Sequence, residues 1–130
     1  MGLADKSVGD KSSTLAISTE IIGLLKSITG RGPTKSRTHV LPDCVVVLMR
    51  EGHTVAEGSM AGAGQARAVA QGRVDLSEDQ RGRFIEVVEK HTGRRVISFL
   101  TSSHQEPSVL SLVFVLDTAV ALLEDEPLTE

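Results

Sequence analysis

The residues best placed to bind a ligand are the three cations of Gly30-Arg31-Gly32-Pro33-Thr34-Lys35-Ser36-Arg37. A glycine-rich turn exposes backbone N–H groups, and Arg31, Lys35 and Arg37 add charge, which is the chemistry of a phosphate or small-anion site. The string is not a Walker A loop, because that motif puts Gly immediately before the Lys, where Thr34 stands. It also follows an apolar helical pattern, and the partial negative charge at a helix C-terminus repels anions and favours cations. The balance favours a structural stop: Gly30 as C-cap, Gly32 and Pro33 ending the helix, and cations complementing the dipole. A small-anion or nucleotide sensor built on Arg31, Lys35 and Arg37, joined by Arg94 and Arg95, is the alternative.

Other chemistry is absent from the pattern. His39, His53, His91 and His104 form no i,i+4 pair and no His-x-His, so no metal site is expected. Cys44 is the single cysteine, has no internal disulfide partner, and sits among apolar neighbours as a small hydrophobe. Ser59 follows Gly58 but lacks the Gly-x-Ser-x-Gly elbow. Gly62-Ala63-Gly64 begins a dinucleotide fingerprint that Arg67 breaks at its third Gly position. Glu86 and Glu89 lie on a helix face with neighbouring cations, and Glu57 is accounted for by capping. No catalytic residue and no cofactor are expected, and the chain does not read as an enzyme.

The elements that hold these residues fit one domain. A chain of 130 residues, 40% apolar and 24% charged, has ordinary globular composition and enough length for one core. The net charge of −3 argues against a general nucleic-acid binder, and three Phe with no Trp or Tyr leave few stacking platforms. No apolar leader opens the sequence, and Leu110–Leu123 is too short to span a bilayer, so a cytoplasmic protein is expected.

Residues 1–13 are expected to be a disordered arm and 14–123 a single domain. A helix over 14–29 follows from Ile17, Ile21, Leu24, Leu25 and Ile28 on one face. Ser36–Leu41 reads as an edge strand, and Cys44–Met49 as a central strand apolar on both faces. Thr54 and Glu57 have capping-box spacing. The helix they open carries the stripe Gly58, Gly62, Ala66, Ala70, which favours a mobile segment. Asp75 or Ser77 is expected to cap the next helix, ending at Thr92 before Gly93, with ion pairs Asp79/Arg83 and Glu86/Lys90 and with Phe84, Val87, Val88 and His91 buried. Strands are expected at 94–101, with Val96 and Leu100 opposite Ile97 and Phe99, and at 109–116. A final turn at 119–123 and an acidic tail at 124–130 complete the chain.

The order α-β-β-α-α-β-β gives a two-layer α+β domain with a four-stranded, mostly antiparallel sheet. Two-faced apolar strands need either helices on both sides or a second subunit, and a homodimer is expected.

The chain resembles the MpsC-like family. The resemblance is carried by Gly30–Lys35, Asp43 with Val45–Val47, Thr54 with Glu57, Val87–Glu89, Thr92–Leu100 and Val113–Leu116, over roughly residues 15 to 117. It departs in Gly58–Gly72, where bulkier helix formers are expected. The resemblance implies no catalytic residues. It implies an accessory or regulatory piece of an ion-translocating or inorganic-carbon-uptake system, whose membrane subunits would be its protein partners.

Overall fold

The computed structural model describes residues 11–50 and 52–117. Residues 1–10, the expected turn at 119–123 and the acidic tail lie outside them. The order is α1 (Lys11–Thr29), β1 (Lys35–Val40), β2 (Cys44–Arg50), α2 (Val55–Met60), a π-helical turn (Ala61–Gln65), α3 (Ala66–Asp79), α4 (Arg81–Thr92), β3 (Val96–His104) and β4 (Val109–Leu116). The strands form one antiparallel sheet in the order β1-β2-β4-β3. This is the α+β fold read from the sequence, with β1 on the edge and β2 central.

Helix α1 begins at Lys11, three residues before the expected start, so residues 11–13 are helical rather than part of an arm. Its Ile17, Ile21 and Leu25 are buried, with Leu24 and Ile28 packed beside them. The helix stops where the sequence said. Gly30 takes φ +84° and its N–H donates to the Lys26 carbonyl at 2.8 Å. Nothing lies within 4 Å of a Cβ built there, so Gly30→Ala is penalised by backbone conformation alone, about 1 kcal/mol. Gly32 has no positive φ, and a Cβ there meets Ile22 and Lys26 at ordinary contact distances. Gly32→Ala is expected to leave the midpoint of urea unfolding almost unchanged, and equal losses for the two variants would refute this account of the stop.

The core lies on one face of the sheet. Val45, Val47 and Met49 of β2, and Leu110, Leu112, Phe114 and Leu116 of β4, point inward with Phe99 and Val40. Against them pack α1 and α4, the latter through Phe84, Val87 and Val88. His91 is not part of this stripe but half-buried at its margin. Strand β3 departs from the expected alternation. Ile97 is an extra residue between the pairs Val96–Leu116 and Ser98–Val115, a bulge that puts Val96 on the same inner face as Phe99. Leu100 and Ile97 are left outside, 54% and 41% exposed.

The middle of the chain differs most from expectation. Asp75 and Ser77 lie inside α3 rather than at a cap, and the break between α3 and α4 falls at Gln80. Ser77 is buried and donates to the Arg73 carbonyl. The glycine stripe is cut at Gly64, where φ of +88° kinks the helix. Beyond the kink, Ala66 and Ala70 sit half-buried beside the end of β3, so this half is packed. Before it, α2 and the π turn bury no residue at all. Amides of residues 55–65 are therefore expected to exchange with solvent earliest among the helices. Protection there equal to that of Phe99 would contradict this.

Candidate functional site

The three loop cations do not share a site. Gly30, Arg31, Gly32 and Thr34 carry N–H groups and Pro33 none, and three of those four donate within the protein. Gly30 N–H goes to Lys26, Arg31 N–H to Thr29 Oγ1, and Thr34 N–H to the Arg50 carbonyl. A loop whose amides are spent internally is a poor anion cradle. Arg31 lines a cavity of about 20 Å³ with Pro33, His53, Arg73 and Ser103, room for about one water and not for a phosphate. Lys35 and Arg37 stand instead on β1, one strand period apart, on the sheet face away from the helices. Arg94 and Arg95 precede β3 at the diagonally opposite corner, where Arg94 donates to the Pro42 carbonyl at 2.7 Å.

The capping box is present, and it is part of something larger. Glu57 N–H donates to Thr54 Oγ1, and the Glu57 carboxylate accepts from Thr54 N–H at 2.8 Å. The same carboxylate takes both Nε and Nη2 of Arg73, at 3.0 and 2.7 Å. Arg73 also donates to the Gly52 carbonyl and is only 5% exposed. Burial alone would raise the Glu57 pKa, but the Arg73 guanidinium and the Thr54 amide outweigh it and hold the carboxyl below its ordinary value. Arg73 was missed in the sequence. Its signal is the run Val69, Arg73, Ser77, spaced by four, which forms the buried face of α3.

Gly93 is the left-handed stop of α4, with φ +68° and its N–H on the Glu89 carbonyl. Glu89 Oε2 then accepts from Val96 N–H, so this helix stop also fixes the start of β3. The expected ion pairs Asp79/Arg83 and Glu86/Lys90 do not form. Arg83 donates to Gln80, while Lys90 and His91 both reach across to Glu20 on α1, at 2.8 and 2.7 Å. Lys90 first and then His91 lower the Glu20 pKa.

No constellation for bond chemistry is assembled among the described residues. The histidines are dispersed: His39 on β1, His53 beside the small cavity, His91 on Glu20 and His104 at the end of β3. Burial first, then Asp43, pushes the Cys44 thiol up, opposite to activation.

What the structure does present is a bare sheet face. Register pairs place Arg37, Leu48, Ser111 and Ser102 in one row across the four strands, and His39, Val46, Val113 and Leu100 in the next. Cys44, Val115 and Ser98 follow at one end, with Lys35, Arg50, Val109 and His104 at the other. The expectation that β2 is covered on both sides is corrected here, since Leu48 is 39% exposed and its face carries no helix.

A family model described as the Na+-translocating membrane potential-generating system (MpsC) matches residues 10–118. No curated protein and no solved structure matches the chain.

Proposed function

The chain belongs to the MpsC family, matched over most of its length, and from that premise we propose that it is a non-catalytic accessory or regulatory protein of an ion-translocating membrane system. It works by docking to other polypeptides, and in this reading transport itself belongs to membrane subunits, which the chain meets from the cytoplasm. The family description supports the association with sodium translocation. No helix among the described residues is long and apolar enough to cross a membrane.

The observation that carries docking is the uncovered sheet face. Leu48, Val46, Val113 and Leu100 form a contiguous apolar strip across all four strands, with no helix above it. Four strands about 4.8 Å apart and about 23 Å long make a face of about 440 Å² in plan. Patches of that size on a small domain mark contact surfaces. Its first partner is a second copy, sheet against sheet. Two such faces bury about 900 Å², near the threshold of about 1,000 Å² for a specific interface, so the dimer is weak and exchangeable.

Light scattering coupled to size exclusion should show twice the chain mass at tens of micromolar, falling towards the monomer on dilution. Leu48→Lys with Val113→Lys should abolish the dimer while leaving the circular dichroism spectrum intact. A monomer at every concentration would overturn self-association. A dimer that survives both substitutions would remove this face as the docking surface.

A further inference from the structure

The bare face has a direction along its strands. Near Asp117, where β4 ends, it is apolar, with Cys44, Val46, Val113 and Val115. At the far end Lys35 and Arg50 are register partners, and Arg37 is beside Leu48 one row in. These three cations are exposed, and none has an ion-pair partner among the described residues. No strand position on this face is Asp or Glu. A matching occupant is apolar where it meets Val46 and Val113 and acidic where it meets the cations.

The sequence that leaves β4 has that order. After Asp117 come Thr118, then Ala119-Val120-Ala121-Leu122-Leu123, then Glu124-Asp125-Glu126. Seven residues separate Asp117 from Glu124, a reach of up to about 24 Å when extended. The cationic end of the face is about 20 Å from Val115 along the strands. The apolar run therefore covers the distance, and the acids arrive where the cations are.

We propose that residues 118–126 of this chain are the resident occupant of the bare face, with Ala119–Leu123 over Val46 and Val113 and Glu124–Glu126 against Lys35, Arg37 and Arg50. This rests on the docking reading and gives it a control: a second copy or a membrane subunit gains the face by displacing the segment. Exposed ion pairs are individually weak and screened by salt, which suits a cover that must leave.

The test uses the full chain. A carbodiimide joins carboxylates to amines only in direct contact, and Lys35 is the one lysine of the cationic corner. Cross-linking a mixture of light and heavy isotope-labelled protein should give Lys35 joined to residues 124–126, with no mixed-label product. Glu124→Gln, Asp125→Asn and Glu126→Gln together should remove that link, raise apolar-dye fluorescence several-fold and tighten self-association about tenfold. Links from 124–126 only to Lys26 or Lys90 on the helical layer would overturn the proposal, as would links only between light and heavy chains. If Leu48→Lys with Val113→Lys breaks the dimer but the unmodified protein gives no Lys35 link, this inference fails and the docking reading stands. If the link forms while those substitutions leave the dimer untouched, the cover stands and self-docking through this face fails.

Discussion

Glu57→Ala should destabilise the protein by about 3 kcal/mol, the cost of leaving a buried charge unpaired after its partner is removed. Arg73 is 5% exposed, and without Glu57 it keeps only the Gly52 carbonyl for its guanidinium. The capping bond to Thr54 N–H goes at the same time. For a domain of this size the loss corresponds to a melting temperature lower by about 12 °C. Arg73→Met should cost less, about 1–2 kcal/mol, because a quarter of the Glu57 side chain faces water and it retains the Thr54 amide. Acid unfolding gives an independent check. A carboxyl with lowered folded-state pKa stabilises the fold above the ordinary value of 4.5 and loses that contribution as pH falls through the folded value. The stability lost between pH 5 and pH 3 should therefore shrink in Glu57→Gln. If Arg73→Met proves the more damaging change, or Glu57→Gln keeps the full acid loss, the pair is not the anchor described.

Phe114→Ala should cost about 3–5 kcal/mol. The three aromatic residues of the chain form one stack, with Phe99 5.2 Å from Phe114 and 6.4 Å from Phe84, ring centroid to centroid. Phe114 is fully buried on central strand β4 and links the sheet to α4 through that stack. Truncation opens a cavity between two layers with no other aromatic ring to close it. Phe114→Leu, which keeps most of the volume, should lose well under half as much. Equal denaturation midpoints for the two variants would show that the core collapses around the gap.

Much of this architecture is legible in the sequence, and the exceptions share a cause. Helix α1, the Gly30 and Gly93 stops and the inward side of β4 were readable because each depends on local spacing or one backbone angle. The capping box was equally local. Arg73 was not readable, because its partner lies 16 residues away and its neighbours Gly72 and Gly64 suggested a loose segment. The Ile97 bulge inverted β3 because a single unpaired residue reverses strand parity. The cations of 31–37 looked clustered in sequence, yet a turn and an extended strand separate Arg31 from Lys35 and Arg37. Two-faced apolar strands correctly signalled an unmet need for cover, but spacing could not say that the helices all choose one side.

The kinked arm between Thr54 and Val69 has a consequence for building on this protein. It leaves the body after one capped turn, reverses at Gly64 without burying a side chain before Val69, and is held at its base by Glu57 and Arg73. Its tip is therefore a natural socket: a fluorescent or affinity module spliced between Gly62 and Gly64 would be carried on the helical side, clear of both the core and the bare sheet. Such a fusion would report on whatever occupies the sheet without competing for it.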